Sequence, residues 1–315
     1  MTADKEPRRV AIMVAADDRF AMPMTVTLYS ALIHLPHDVA VDIFVADNGL
    51  SEANRRRAAC VLQAAHPQVK LHWRQLDLSR FSNITEERLS AATFGRIYVS
   101  ELVPEGVERV LYLDCDIIVS DDLTKLWDLD MSGMPLMAAV DGDLSDFDSR
   151  IRRRFPEVRA PAEAPYFNAG VLLIDLAQWR KHDLMERTLD FIARHGSDLE
   201  CADQCALNAT SVGLWNPLDE YWNTQIFYHY RNPPVPPSGV LHYTICKPWL
   251  RSAETPMAHL FFDAYRRSGW DSRPVAEVWS AFMLCDQAVR RWHRYTYRPW
   301  KRAMKKRFDL RRKPS

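Results

Sequence analysis

Arg109-Val110-Leu111-Tyr112-Leu113-Asp114-Cys115-Asp116-Ile117-Ile118-Val119 reads as a buried β-strand whose apolar run is broken by two carboxylates one residue apart. In an extended chain, positions i and i+2 leave the same face, so Asp114 and Asp116 are expected to point together. Nothing adjacent in sequence neutralises them, and two unpaired carboxylates are very costly to bury. A hard divalent cation held between them removes that cost and leaves coordination positions for substrate phosphates. The plain alternative is a strand end at which the carboxylates meet water.

Further apolar runs flank this stretch at Val10–Ala16, Val39–Val45, Val69–Leu76, Leu136–Val140 and Val171–Ile174. Helical patterns lie between them, at Met22–Leu35 and from Ser51-Glu52 through Ala65. Strands alternating with helices in this way predict an α/β fold with a mostly parallel sheet covered on both faces. Ligands of such sheets bind beyond the carboxyl ends of the strands, where Asp17, Asp114 and Asp141 are expected. Farther along, Gln178–Arg194 has the pattern of one amphipathic helix and Cys201–Ala209 of a short one. Asn232–Gly239, with four prolines, is a loop. A long helical pattern begins at Pro274 and is interrupted at Pro299.

The chain has 315 residues, is 47% hydrophobic and 26% charged, and so can bury an ample core. Its zero net charge hides a segregation. Between Arg290 and Lys313 there are twelve Lys/Arg against Asp309 alone, while the remainder carries 29 basic and 40 acidic residues. The six cysteines form no disulfide framework and no CxxC pair, which predicts reduced thiols in a cytosolic setting. Met1–Arg9 is too polar for a signal peptide, and no apolar run is long enough to span a membrane.

Four other segments carry candidate chemistry. Arg96, on an expected helix at Phe94-Gly95-Arg96-Ile97, offers a fork of donors to a phosphate or carboxylate, or else lies on a helix surface. Asn168, before the flexible Gly170, suits sugar hydroxyls or turn chemistry. Asp203-Gln204 lies where a helix starts, a place that favours Asp on dipole grounds alone. His242 suits a metal or a structural role, and Lys247 a phosphate.

In order, Asp17-Asp18, Thr93–Tyr98 (TFGRIY), Tyr112–Val119 (YLDCDIIV), Tyr166–Leu176 (YFNAGVLLIDL), Asp203–Asn208 (DQCALN) and His242–Trp249 (HYTICKPW) resemble glycosyltransferase family 8, over roughly residues 10–270. The resemblance implies a GT-A fold and a retaining hexosyltransferase. It would use UDP-galactose or UDP-glucose and Mn²⁺, with Mg²⁺ as a substitute, to glycosylate a saccharide such as lipopolysaccharide or another surface glycan. It assigns the metal to Asp114, Asp116 and His242. Ala16 and Asp17 would lie toward the uracil, Arg96, Asn168, Asp203 and Gln204 around the donor sugar, Lys247 on the diphosphate, and Asp141 toward the acceptor. Gln204, Asp203 and Arg96 form the catalytic set. The chain departs from the family pattern at Arg19, at Cys205 in place of the last Asp of DQD, and in a spacing of four residues between His242 and Lys247 with no glycine. The other functions open to this pattern are a catalytically silent sugar-nucleotide or glycan-binding module and a nucleotidyltransferase.

The expected organisation is a polar extension over residues 1–9, a catalytic domain over 10–273 and a basic helical tail over 274–315. The tail interleaves Trp292, Tyr295, Tyr297, Trp300 and Phe308 with its cations, a composition suited to an anionic membrane surface. Nucleic-acid contact is opposed by the acidic body, and a helix docked on that body is the third reading. The protein is thus expected to be cytoplasmic and peripheral to the membrane. In liposome flotation, the full chain is expected to rise with anionic vesicles and a chain lacking residues 288–315 to stay behind. Equal recovery of the two would contradict a membrane role for the tail.

Overall fold

The computed structural model describes residues 8–76, 94–141, 147–229, 235–245, 247–251 and 255–270. The expected tail, including residues 290–313, and residues 1–7 lie outside them, as do Cys246 and Cys285. Seven strands form the central sheet: β1 (Arg9–Ala16), β2 (Ala40–Asp47), β3 (Val69–Gln75), β4 (Arg109–Leu113), β6 (Leu136–Val140), β7 (Phe167–Asp175) and β8 (Trp215–Leu218). Their order is β3-β2-β1-β4-β7-β6-β8. A second sheet of three short strands, β5 (Ile117–Val119), β10 (Val240–His242) and β9 (Thr224–Gln225), lies in the order β5-β10-β9.

The expectation of a mostly parallel sheet holds, with one antiparallel strand that matters for function. β1, β2, β3 and β4 run parallel, and β7 runs antiparallel to both β4 and β6. The start of β7 therefore lies at the same rim as the carboxyl ends of β4 and β6. This strand is also longer than the apolar run Val171–Ile174 suggests, because Phe167, Asn168, Ala169 and Gly170 belong to it. Gly170 is thus an in-strand residue rather than a flexible turn.

β1 shows why the sheet is covered on both faces. Val10, Ile12 and Val14 pack into one core with the helix Ala21–Leu32 and the helix Ala258–Ser268. Ala11, Met13 and Ala15 pack into the other with Phe94, Ile97, Trp179 and Leu184. A strand buried on both faces has no polar positions to alternate, so RVAIMVAA reads as an unbroken apolar run. The helix Glu52–Ala65 begins where expected, because Ser51 Oγ accepts from the Asn54 N–H at 3.3 Å.

Two local expectations are corrected. Gln178–Arg194 is two helices, Leu176–Lys181 and Leu184–His195, separated at Asp183, which takes the left-handed conformation at φ 50°. The apolar period continues across the break because both pieces pack on the same core, so periodicity alone does not show it. Arg96 lies in a turn ahead of the short helix Val99–Leu102 rather than on a helix surface. The helix Ala202–Thr210 is pinned to the rim by Asn208, whose amide accepts from the Phe167 N–H at 2.8 Å and donates to its carbonyl at 2.9 Å. This side chain takes the place of a further strand at the start of β7.

Candidate active site

The chain order changes direction between β1 and β4, and the crevice beyond their carboxyl ends is where such sheets bind ligands. β4 ends at Leu113, and its last ladder bond runs from the Asp114 N–H to the Gly170 carbonyl at 2.8 Å. The chain then turns through Cys115 and Asp116 instead of staying extended. Cys115 points into the core and donates its thiol to the Ala15 carbonyl at 3.2 Å, while Asp114 and Asp116 remain together on the crevice side. The turn resumes as β5, which pairs with β10 so that His242 lies opposite Ile117. The Tyr243 N–H donates to the Asp116 carbonyl at 2.9 Å, tying the two segments beside the cluster.

Asp114, Asp116 and His242 consequently offer three ligand atoms within 4.8 Å of one another. His242 Nε2 is 3.2 Å from Asp116 Oδ1 and 3.8 Å from Asp114 Oδ2. Gly170 makes this approach possible. A Cβ built there would stand 2.1 Å from His242 Cε1 and 2.9 Å from Asp114 Oδ2, so any side chain would displace both. Two carboxylates and an imidazole, converging in a space cleared by a glycine, fit a divalent cation.

Nothing adjacent in sequence neutralises the carboxylates, as expected, but the fold brings Arg96 and Lys247 to them from elsewhere in the chain. Arg96, 8% exposed, donates from Nη2 to Asp114 at 2.8 Å and from Nη1 to the Ala169 carbonyl at 2.5 Å. Its Nε faces Asp203 at 2.8 Å, and its guanidinium lies over the Tyr112 ring. Burial opposes the Arg96 charge, but Asp114 and Asp203 outweigh it and hold the guanidinium more firmly protonated than in water. Lys247 Nζ pairs with Asp116 and donates to the Tyr243 and Thr244 carbonyls. Burial pushes the Asp116 carboxyl up, yet the Lys247 ammonium paired with it prevails and keeps it well below the usual carboxylate range. Asp203 behaves oppositely. Burial pushes it up to about 6 against the pull of Arg96.

A cavity of about 500 Å³ opens over this cluster and brings together Arg96, Asp114, Asp116, Asp141, Asn168, Asp203, Gln204, His242 and Lys247. Asp141 Oδ2 accepts from Gln204 Nε2 at 2.7 Å and Asn168 Nδ2 at 3.3 Å, and Oδ1 accepts from the Tyr228 hydroxyl at 2.7 Å. Ala16 and Asp17 lie outside this cavity. Ala16 is wholly buried, and Asp17 caps the turn Asp18–Phe20 and pairs with Arg19 at 2.8 Å. Asn223, Gln225, Phe227 and Tyr228 belong to the site or its mouth and were not singled out from sequence. They sit on a short turn, a two-residue strand and a four-residue helix, elements too brief to show periodicity.

A sheet of this order, with paired aspartates at its switch point and a histidine brought in from a second small sheet, is the GT-A architecture of glycosyltransferases. The chain belongs to glycosyl transferase family 8, which it matches over residues 11–253. It is 29% identical to General stress protein A of Bacillus subtilis (strain 168) over 221 residues, covering 69% of this chain and 74% of that one. It is 26% identical to glycosyltransferase GlyF of Streptococcus pneumoniae serotype 4 over 276 residues, covering 83% of this chain and 62% of GlyF. The crystal structure of the galactosyltransferase LgtC with donor and acceptor sugar analogs superposes with a TM-score of 0.70 at 28% identity, covering 82% of this chain and 96% of LgtC. Among the described residues, four cysteines are free and no helix is long and apolar enough to cross a membrane.

Gly170→Ala is expected to fold and to weaken Mn²⁺ binding by about tenfold or more, read by calorimetric titration, because its methyl group displaces two of the three ligands. Binding as tight as in the wild type would contradict the role of this contact.

Proposed function

We propose that this protein is a retaining hexosyltransferase that moves galactose or glucose from a UDP-sugar to a hydroxyl of a saccharide acceptor. The observation that carries the reading is the convergence of Asp114, Asp116 and His242 at the floor of a cavity whose walls hold Asp141, Asn168, Asp203 and Gln204. The acceptor we infer is a surface glycan or glycolipid such as lipopolysaccharide, met at an anionic membrane through residues 290–313.

Asp114, Asp116 and His242 would hold Mn²⁺ or Mg²⁺, which supplies positive charge against the departing diphosphate as a Lewis acid. Lys247, at the rim of the same cluster, is placed to exchange its bond with Asp116 for a phosphate oxygen when a donor enters. Arg96 is committed to Asp114, Asp203 and the Ala169 carbonyl, so it acts by holding Asp114 in place and offsetting buried negative charge. Asp141, Asn168 and Asp203 present acceptor and donor groups to sugar hydroxyls.

Gln204 is the group expected on the β-face of the sugar. Its Oε1 accepts from the Ala169 N–H at 3.1 Å and its Nε2 donates to Asp141, so both ends of the amide are held. An amide oxygen already engaged by a backbone donor is a poor nucleophile. This supports internal return, in which the acceptor hydroxyl enters on the face that UDP leaves and Gln204 orients and shields the sugar.

A panel of UDP-sugars incubated with the protein and Mn²⁺ tests the reading through UDP release. UDP-galactose or UDP-glucose is expected to be turned over, and Asp116→Asn to lose at least about 10²-fold in kcat/KM. Tight UDP binding without turnover of any donor would instead identify a binding module. Release of diphosphate from a nucleotide and a sugar 1-phosphate would identify a nucleotidyltransferase.

A further inference from the structure

A line of buried amides connects the walls of the cavity to its floor. Asn168 Nδ2 reaches Asp141, Asn168 Oδ1 meets Asn223 Nδ2 at 3.0 Å, and Asn223 Oδ1 meets His242 Nδ1 at 2.9 Å. Asn223 is wholly buried and Asn168 nearly so, so water does not substitute for a missing partner. The two ends of an Asn amide look alike in shape but not in chemistry, one being an acceptor and the other a double donor. The direction of every bond in this line therefore has to be fixed by a group that has no choice.

The backbone of β7 supplies that group. A peptide N–H can only donate, and the Gly170 N–H faces Asn168 Oδ1 at 2.9 Å. Asn168 must then present its oxygen to Gly170 and its amino group to Asp141 and to Gln225 Oε1, the latter at 3.3 Å. The same oxygen receives Asn223, which must turn its amino group toward Asn168 and its carbonyl oxygen toward His242. That oxygen accepts and cannot donate, so the proton of a neutral His242 ring must be on Nδ1. Nε2, the nitrogen that faces Asp114 and Asp116, is left with its lone pair free. One residue earlier the Ala169 N–H does the same for Gln204, turning its oxygen to the backbone and its amino group to Asp141.

We propose that Asn223 is a positioning residue that, oriented through Asn168 by the Gly170 N–H, holds His242 in the Nδ1–H tautomer and so readies Nε2 as a metal ligand. The inference rests on the metal-dependent reading given above. It adds that the ligand is prepared before any ion arrives and that the acceptor-side carboxylate Asp141 belongs to the same hydrogen-bonded unit. Gly170 then serves the site twice, clearing space with its missing side chain and setting bond direction with its N–H.

The test begins with the metal-free full chain labelled with ¹⁵N in its ten histidines. Long-range ¹H–¹⁵N correlation distinguishes the two tautomers, and the His242 signals are identified by their loss in His242→Gln. The Nδ1–H form is expected. Asn223→Asp keeps an acceptor opposite Nδ1 and is expected to retain that tautomer and to bind Mn²⁺ within a few-fold of the wild type. Asn223→Leu removes the acceptor and is expected to weaken Mn²⁺ binding by about 10–100-fold and to lose the single tautomer. A His242 found as Nε2–H in the wild type would overturn the proposal outright, with no variant needed. So would Asn223→Leu binding Mn²⁺ as the wild type does. If the Nδ1–H tautomer is found but no Mn²⁺ binds, the relay stands and the metal-dependent reading fails.

Discussion

At Gly170 the backbone of β7 comes so close to His242 and Asp114 that no side chain fits between them. The rest of the site depends on this contact. Because β7 runs antiparallel to β4, its first residues reach the rim where β4 releases Asp114 and Asp116. Because residue 170 has no Cβ, a histidine from the small second sheet can close on the two carboxylates from the other side. Three candidate ligands from two distant stretches of chain thus meet on one strand's backbone, which also directs the amides around them.

The electrostatics of the rim follow from the same crowding. Asp114, Asp116 and Asp203 lie close together around a single crevice, and uncompensated carboxylates in such a place would oppose folding. Arg96 and Lys247 answer this in different ways. Arg96 is buried and is an internal counter-charge for Asp114 and Asp203. Lys247 is more exposed than Arg96 and bonds to Asp116 in the lining of the cavity. Each carboxylate has its own balance: the Lys247 ammonium beside Asp116 holds it ionised, while burial pushes Asp203 up to about 6.

Much of this was legible in the sequence, and the failures have a common cause. Apolar runs marked β1, β4 and β6 because strands covered on both faces leave little room for polar residues, and β2 keeps Asp42 within its run because Arg9 and His72 pair with it. The candidate ligands Asp114, Asp116 and His242 stand out because their residue types and order resemble a known family, and the fold brings them together. The reason they can meet was not found. Gly170 was read as a source of flexibility, whereas it sits inside a strand and acts by lacking volume. Arg96 reads as a fork of donors for a phosphate or a carboxylate, or as a helix-surface group; carboxylates are its partners, but that they are Asp114 and Asp203 is a tertiary fact that its neighbours do not encode. Asn223 directly follows a three-residue helical turn and Gln225 lies in a two-residue strand, where neither period nor motif operates. The break at Asp183 was hidden because both helices around it share one core.

The account stands on a divalent ion bound by three residues that the fold assembles around Gly170. Anomalous scattering from crystals grown with Mn²⁺ and UDP tests it most directly. The predicted result is a manganese peak bonded to Asp114, to Asp116 and to Nε2 of His242. A peak elsewhere, or bonded to the aspartates with His242 turned away, would contradict it.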